Sequence, residues 1–443
     1  MKISKYTFLF PVGEEYYIYN TLSNALLAID KDSYNTLKQI QTEQAQIENS
    51  TIDAELYEVL SEKRFITENE KDDFLMYKSM IDAQRNGLSH MHLTIAPTMD
   101  CNFSCHYCFE EKEETYITSE VIDSLIKYIE QQKELSGIFL TWFGGEPLMA
   151  IDKIQEFYRK FKPVWGEKEF RSNIITTAYH ITPEVIEILK EVKVSSMQIT
   201  LDGSKETHNK IKYTNDCSDV FSKVIQNIDL LTELAPEIYI NIRINLTREN
   251  IKEYVELYKF LAERYNGKKI GIAPGFVLSR GCNNDKESPL FLSVKECAGY
   301  ILHLFYNERI HSPAIRYPER FFNECAIRSR TAIGIAPEGY VYKCWEVIGN
   351  KKQAIGKLTE DGQIEYTNIT VLNRHRYGAD TLDDKVCASC AYLPVCNGGC
   401  PIQRVENEFE GAKNEVCTYY KDYLPEFLTA HILLKKAGFE NKP

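Results

Sequence analysis

The sequence lacks the features that mark membrane-bound, secreted and nucleic-acid-binding proteins. It contains no run of about 18 or more apolar residues, so no segment is predicted to span a membrane. The N-terminal segment MKISKYTFLFPVGEEYY has neither the long apolar stretch nor the small-residue cleavage site of a signal peptide. No dense basic run occurs and the formal net charge is −12, which argues against nucleic-acid binding. The sequence therefore predicts a cytoplasmic protein with neither a membrane nor a nucleic acid as its partner.

Cysteine, by contrast, is abundant, with 13 residues in a chain of 443. Reducing thiol pools oppose structural disulfides in the cytoplasm, so clustered cysteines there more often bind metal. The length exceeds that of one ordinary core and predicts two or three domains. The aromatic content of 12% is on the high side, and aromatic side chains supply contact surface for peptides or planar ligands.

The pattern of apolar residues divides the chain into three parts. Residues 1–88 are predicted to form a small α+β unit with two strands, two helices and a short third strand. Residues 89–310 alternate six apolar strands with amphipathic helices, which predicts a parallel sheet in a partial (β/α)6 barrel of the TIM type. In residues 311–443 the helical period gives way to loops rich in Gly, Pro and Cys, followed by the amphipathic helix LPEFLTAHILLKKAG.

Three cysteines follow the first predicted barrel strand directly, in the pattern Cys101-x3-Cys105-x2-Cys108. Three thiolates can hold three irons of a cubane [4Fe–4S] cluster and leave the fourth iron without a protein ligand. The carboxyl end of a parallel strand is also where the active sites of such folds lie. The alternative is a zinc site completed by His106, although a histidine between two of the cysteines is badly placed to close a tetrahedron with them.

This pattern, with Tyr107 at its aromatic position, resembles the Cx3CxΦC signature of the radical S-adenosylmethionine (SAM) superfamily. The resemblance implies that the open iron chelates SAM, whose reductive cleavage gives a 5′-deoxyadenosyl radical. The segment Gly144-Gly145-Glu146-Pro147 resembles the GGEP motif of the same family. Glycines at this place let the backbone approach a ligand, and a carboxylate can accept a hydrogen bond from the SAM ammonium.

Three later segments resemble parts of the family that contact SAM. They are IITTAYHIT, where Ala178-Tyr179 replaces the usual Asn-Gly, QITLDGSKETHNKIK with its His208, and IRINLTREN. The contacts that the resemblance implies, the last two of them with the SAM carboxylate or ribose, are Thr176, Thr200, Asp202, Arg243 and Asn245. The alternatives are ordinary turn chemistry for the LDG segment and a plain barrel residue for Arg243.

Seven further cysteines resemble the SPASM pattern Cx9–15Gx4C, gap, Cx2Cx5Cx3C, gap, C. The resemblance implies two auxiliary [4Fe–4S] clusters, three clusters in all. One would be held by Cys387, Cys390, Cys396 and Cys417, and the other by Cys325, Cys344 and Cys400. Some relatives complete the latter set with a cysteine where this chain has Thr331, so that cluster either has an open iron or takes Cys282. A zinc ribbon in the Cys387–Cys400 segment is the alternative.

Residues 1–88 resemble the winged-helix element that precedes the barrel in radical SAM–SPASM peptide maturases. That element captures a leader peptide by adding it as a strand to an exposed sheet edge, whereas the alternative is a purely structural extension. The resemblance implies an enzyme that matures a ribosomally made precursor peptide through a thioether bond, a carbon–carbon bond or a change at a Cα centre. It also implies an external electron donor of the flavodoxin or ferredoxin type.

Two other functions are weighed against this one. An anaerobic sulfatase-maturating enzyme oxidises a Cys or Ser to formylglycine, but such enzymes lack the N-terminal unit and place an Asp where Trp345 follows Cys344. A non-catalytic iron–sulfur or zinc scaffold is the alternative from another class, and the GGEP motif argues against it.

Overall fold

The computed structural model describes residues 1–48, 50–277, 290–311, 317–318 and 325–438. The elements of its N-terminal α+β unit are β1 (Lys2–Ile3), β2 (Thr7–Val12), β3 (Glu15–Asn20), β4 (Ala25–Ile29), α1 (Lys31–Glu43), α2 (Ala54–Glu62), β5 (Ile66–Thr67) and α3 (Glu70–Asn86). Strands β2, β3 and β4 form an antiparallel sheet, and β1 pairs antiparallel with β5. The predicted strands at β2 and β3 and the two helices after them are found. Strand β4 was not predicted, because its sequence ALLAI has no two-residue alternation and becomes a strand by pairing with β3.

The middle of the chain alternates parallel strands with helices. Its elements are β6 (His90–Ile95), α4 (Ser119–Gln131), β7 (Gly137–Trp142), α5 (Ile151–Trp165), β8 (Glu169–Thr176), α6 (Pro183–Glu191), β9 (Val194–Leu201), α7 (Lys205–Ile211), α8 (Val220–Leu234), β10 (Tyr239–Leu246), α9 (Tyr254–Arg264), β11 (Ile270–Phe276) and α10 (Val294–Tyr306). Strands β6 to β11 pair in parallel in the order of the chain. This confirms the predicted α/β fold with six parallel strands.

The parallel strands turn an apolar face to the helices and a more polar face away from them. The side chains that join the helices in one core include Leu93, Leu140, Ile174, Ile199 and Ile244. The alternate positions are half-buried and include the polar residues Thr94, Asn173, Gln198, Asn241 and Arg243. Successive side chains of a strand point to opposite faces, so these polar groups share the face away from the helices. That face is suited to a polar ligand.

The C-terminal part extends the central sheet. Its elements are β12 (Ile333–Ile335), β13 (Tyr340–Tyr342), β14 (Gly356–Leu358), β15 (Ile364–Glu365), α11 (Ile369–Tyr377), α12 (Lys385–Ser389), α13 (Leu393–Cys396), α14 (Pro401–Phe409) and α15 (Leu424–Lys436). Strand β12 pairs in parallel with β6, and β13 to β15 follow it antiparallel. The sheet thus crosses the predicted boundary after residue 310. The final helix was predicted, whereas strands of two or three residues are too short to show a period.

The N-terminal unit packs directly on the C-terminal cysteine region. One apolar cluster joins Tyr6, Leu22, Tyr77 and Ile81 to Leu382 and Leu393, with Cys387 and Cys390 at its border. The Lys5 Nζ donates to the Ala388 carbonyl oxygen at 2.8 Å. Removing the N-terminal unit would therefore uncover apolar surface beside these two cysteines. None of the helices in the described ranges combines the length and apolar character that a bilayer crossing requires.

Candidate active site at the carboxyl ends of the parallel strands

The three cysteines of the first motif lie on the loop that follows β6, as predicted. Burial raises the pKa of the Cys101 thiol to about 12 and also raises the pKa of Cys105 and Cys108. The charge of Cys105 further raises the pKa of Cys101 and of Cys108, so the Cys105 thiol lies close enough to both to interact with them electrostatically. Such thiols ionise readily only beside a cation or a metal.

The glycines of the GGEP segment bring its turn against the backbone of this cysteine loop. Gly144 has a φ of +105°, and a Cβ there would lie 2.4 Å from the Thr98 carbonyl oxygen. A Cβ on Gly145 would lie 2.1 Å from the Asp100 carbonyl oxygen. The structure shows a close approach of this turn to the cysteine loop, and the predicted approach to a ligand stays a prediction. The two glycines therefore fix the end of β7 to the loop that carries the thiols.

Glu146 of the same segment is fully buried and fully hydrogen-bonded. Its Oε1 accepts from the Leu148 N–H and the Thr176 hydroxyl, and its Oε2 accepts from the Thr177 N–H and hydroxyl, at 2.5–3.0 Å. A carboxylate offers about four acceptor positions, and all of them are taken. Through Thr176 and Thr177, Glu146 links the end of β7 to the end of β8, and the buried Pro147 follows it in the turn after β7. The contact of Glu146 with the SAM ammonium stays a prediction.

A second network surrounds the aromatic residue of the cysteine motif. The Tyr107 hydroxyl donates to Asp202 Oδ1 and accepts from Lys212 Nζ at 3.3 Å and from Asn245 Nδ2 at 3.1 Å. Lys212 also forms an ion pair with Asp202, and both side chains are almost completely buried. The structure thus brings together Tyr107, Asp202 and Asn245, which lie far apart in the sequence. Lys212 was not predicted, although it is the last residue of the segment QITLDGSKETHNKIK and lies four residues after His208.

The charges of this network stabilise each other. Burial alone would raise the pKa of Asp202, but Lys212, His208 and the hydrogen bond from Tyr107 together hold that pKa below its ordinary value. Burial likewise opposes the charge of Lys212, whereas Asp202 raises its pKa well above the ordinary value. Burial lowers the pKa of His208 to about 3, so its ring is neutral, and its Nδ1 accepts from the Asp202 N–H at 3.2 Å. His208 positions the turn that presents Asp202.

Arg243 and Thr200 lie next to this network on the polar face. They are neighbours in the register of β9 and β10. The Arg243 Nε donates to Asn245 Oδ1 at 3.0 Å. A Cβ on Gly275 of β11 would lie 2.2 Å from the same Nε, so the guanidinium passes close over that strand. Tyr107 and four of the predicted SAM-contact residues therefore lie near one another, while Glu146 and Thr176 form a separate network. The four are Thr200, Asp202, Arg243 and Asn245.

The cysteines of α12, α13 and the loop before α15 have cations beside them. The Arg404 guanidinium contacts Cys387 Sγ at 3.5 Å, and Lys421 Nζ contacts Cys417 Sγ at 3.8 Å. Burial raises the pKa of Cys396, and the charges of Cys417 and Cys390 raise it further. These thiols therefore lie within electrostatic reach of one another, in keeping with the first predicted ligand set.

The second predicted set has a buried lysine, Lys343, next to Cys344 in the chain. Cys344 and Cys400 belong to one small apolar cluster, and Cys325 acts electrostatically on Lys343. Burial and the nearby Arg376 lower the pKa of Lys343 to about 7, while Cys325 works in the opposite direction. Thr331 Oγ1 donates to the His90 carbonyl oxygen at 2.7 Å. Cys282, the proposed fourth ligand, lies outside the described residues.

All three cysteine sets fit anionic iron–sulfur clusters by their donor chemistry. Each set combines thiols with at least one neighbouring cation, namely Lys212, Lys343 or Arg404. Thiolates ligate iron in such clusters, and nearby cations favour the thiolate form. Within the described ranges, no group of three or more His, Cys, Asp or Glu side chains could hold a single metal ion.

Residues 95–261 match the Radical SAM superfamily. Similar proteins include the radical SAM cyclopropyl synthase TigE of Paramaledivibacter caminithermalis, 23% identical over 91% of this chain and 90% of TigE. A cysteine-type anaerobic sulfatase-maturating enzyme of Clostridium novyi is 24% identical over 76% of this chain and 95% of its own length. The solved structure of native anSMEcpe with bound AdoMet matches 78% of this chain and 98% of that chain, with a TM-score of 0.61 and 18% identity. The last match shows a shared fold.

Proposed function

Since its central domain makes this chain a radical SAM enzyme, we propose that it oxidatively modifies a ribosomally made precursor peptide. The product carries a thioether bond, a carbon–carbon bond or a changed Cα centre. Bound SAM and its [4Fe–4S] cluster supply a carbon radical that can take a hydrogen atom from an unactivated carbon. The protein would bind SAM and the cluster, orient the peptide toward the radical and exclude water.

The described residues divide these tasks among themselves. Cys101, Cys105 and Cys108 would hold the SAM-binding cluster. Arg243 and Asn245, on the polar face of the strands, would hold the carboxylate or ribose of SAM through charge-assisted hydrogen bonds. The seven SPASM cysteines would hold two auxiliary clusters, and an external flavodoxin or ferredoxin would supply electrons.

The free edge of the N-terminal sheet is the observation that supports a peptide as the substrate. Among the described residues, β4 pairs only with β3, so its other edge is open to a further strand. Addition of an extended peptide to such an edge is a recurring mode of peptide recognition. The sulfatase-maturating relative matches 76% of this chain with 95% of its own length, so part of this chain lies outside that match, and we propose that this part includes the N-terminal unit. A peptide-binding unit is the use we propose for it.

Trp345 weighs against the sulfatase alternative. Its ring centroid lies 4.8 Å from that of Phe143 and 6.0 Å from that of Phe109. The expected Asp of a sulfatase maturase is thus replaced by an aromatic side chain packed in an aromatic group, which offers no base. Among the proposed products, the match to TigE over 91% of the chain favours a carbon–carbon bond, since a cyclopropyl synthase forms such a bond.

A product assay with two peptides tests the proposed function. The reconstituted chain, SAM and a reductant are incubated with a candidate precursor peptide, chosen from the small reading frames encoded beside its gene, or with a cysteine-containing sulfatase peptide. We expect the encoded peptide to lose two hydrogen atoms while 5′-deoxyadenosine accumulates. Formylglycine in the sulfatase peptide, with the encoded peptide unchanged, would contradict the proposal. The absence of 5′-deoxyadenosine in both arms would leave only a scaffold.

Two proline variants test the peptide-binding edge without uncovering the packed N-terminal unit. Ala25 and Ala28 lie an odd number of positions apart in β4, so one N–H points to β3 and the other to the open edge. Proline removes that N–H, and each variant loses only a small side chain. We expect proline at the outward position to weaken peptide binding about tenfold, the loss of roughly one hydrogen bond, with little change in thermal stability. The other variant should lose stability. Fluorescence anisotropy with the encoded peptide measures the affinity, and equal affinity in both variants would contradict the assignment.

A further inference from the structure

The N-terminal unit forms side-chain hydrogen bonds to the segment that carries Cys387 and Cys390. The Thr21 hydroxyl donates at 2.7 Å to the carbonyl oxygen of Ala391, which directly follows Cys390. The carbonyl oxygen of Ala388, which lies between the two cysteines, also accepts a hydrogen bond from a side chain of this unit, at 2.8 Å. The N-terminal unit therefore holds the backbone on both sides of Cys390.

The same unit contacts the turn that follows Cys396. Tyr77 of α3 is buried, and its hydroxyl donates to Asn397 Oδ1 at 2.7 Å. Asn397 has a φ of +50°, in the left-handed region that residues with a Cβ adopt less readily than glycine does. Its N–H donates to the Leu393 carbonyl oxygen at 2.7 Å, so it ends α13 directly after the cysteine. The hydroxyl of Tyr77 thus holds the side chain of the residue on which this turn depends.

The turn after Cys396 also reaches the segment that carries Cys417. A Cβ on Gly399 would overlap the carbonyl oxygen of Val416, so the two backbones are in direct contact there. Val416 directly precedes Cys417. The first predicted auxiliary set thus lies on three pieces of chain, of which two are held by the N-terminal unit and the third packs against one of them. The set consists of Cys387, Cys390, Cys396 and Cys417.

The hydrogen bonds of this interface are buried, where water cannot replace a lost donor. Thr21 is fully buried, and the apolar cluster that contains Tyr77 has Cys387 and Cys390 at its border. A buried acceptor that loses its donor is left unsatisfied, and this costs more than the hydrogen bond contributed. Groups outside a ligand set that hydrogen-bond to it keep the ligands of a metal centre in place.

We propose that the N-terminal unit has a second role besides peptide binding, which is to position the ligands of the first auxiliary set. Tyr77 is the positioning residue, and it acts on Cys396 through Asn397. This rests on the proposed function, which assigns a [4Fe–4S] cluster to these four cysteines. Such a cluster is kept by thiolates in the correct geometry. A looser turn beside Cys396 therefore lets iron leave this cluster faster, while the other two clusters keep theirs.

Iron release from the anaerobically reconstituted full-length chain tests this. Each variant is mixed with an iron chelator, and EPR of the reduced chain before and during the release shows which cluster is lost. Tyr77→Phe removes one hydroxyl and keeps the ring in its apolar cluster. Asn397→Gly removes the acceptor and keeps the left-handed backbone accessible. Tyr57→Phe also removes one hydroxyl and is the matched control, because Tyr57 packs in an apolar cluster made of N-terminal residues.

We expect Tyr77→Phe to release the iron of one auxiliary cluster about tenfold faster than the parent chain, the effect of roughly one hydrogen bond. The SAM-dependent signal and the other auxiliary signal should persist, and Tyr57→Phe should behave like the parent chain. Asn397→Gly and the double variant should match Tyr77→Phe, because all three lack the same bond.

Three outcomes would overturn the proposal. They are release from Tyr77→Phe at the parental rate, equally faster release from all three clusters, and additive effects of the two substitutions in the double variant. A parent chain without auxiliary signals would overturn it as well. Because the readout is iron release and not a peptide product, its failure is distinct from a failure of the peptide assay.

Discussion

We expect Cys105→Ala to abolish the reductive cleavage of SAM and Cys217→Ala to retain it. Cys105 is the middle thiol of the triad, and its charge acts on both of the others. With only two thiolates left, two irons of a cubane would lack protein ligands, and the cluster becomes labile. Cys217 belongs to none of the cysteine motifs and is half-buried, so Cys217→Ala is a control that also removes one thiol. The measurement is 5′-deoxyadenosine formed by each reconstituted variant with an excess of reductant.

Two outcomes of this comparison would contradict the assignment. Turnover by Cys105→Ala at a rate near that of the parent chain would show that the triad does not hold the catalytic cluster. Equal loss in both variants would show that SAM cleavage depends on thiols in general rather than on this motif.

Lys212→Met destabilises the fold by about 3–5 kcal/mol, because it leaves the Asp202 carboxylate buried without its cation. The double variant Asp202→Asn with Lys212→Met removes both charges, and we expect it to recover more than half of that loss. Lys210→Met, at an exposed position in the last turn of α7 just before Lys212, is the control and should have little effect. Urea unfolding of the cluster-free chain measures all three. A loss of stability below about 1 kcal/mol, which is the range for surface ion pairs, would contradict the assignment of Asp202 and Lys212 as a buried ion pair.

The same pair gives the stability a defined pH dependence. The pKa of Asp202 is lower in the folded chain than its ordinary value, so its stabilisation is present above about pH 4 and is lost as the pH falls through the folded pKa. The pKa of Lys212 is raised, so its contribution is present below about pH 10 and is lost only as the pH rises through that higher value. Acid unfolding of Lys212→Met should therefore depend less on pH near pH 4 than that of the parent chain.

The parts of the fold that could be predicted from the sequence are those with a long, regular period. The strands β6 to β11 are six to eight residues each and are separated by amphipathic helices, so their parallel order follows from general rules. Strands β12 to β15 have two or three residues, and their place in the sheet depends on β6, which lies more than 200 positions earlier. Such pairing leaves no local pattern to find.

The candidate site likewise has parts that could be predicted from the sequence and parts that could not. Cysteine spacing located the triad at the end of β6, because ligands on one loop are close in sequence as well as in space. The partners of Tyr107 are Asp202, Lys212 and Asn245, which meet only when three strand ends converge. The four donors around Glu146 could not be predicted, because a sequence does not show which groups surround a buried carboxylate. Lys343 was missed because burial of a lysine leaves no mark in the local pattern.

EPR spectroscopy of the anaerobically reconstituted chain tests the central claim, that Cys101, Cys105 and Cys108 hold a cubane with one iron open to SAM. The account predicts about 12 irons per chain, from three clusters of four, and a reduced cubane signal that changes when SAM is added. In Cys105→Ala the SAM-dependent part of the spectrum should be missing. About one zinc per chain in place of iron, or a cubane signal that SAM leaves unchanged, would contradict the account.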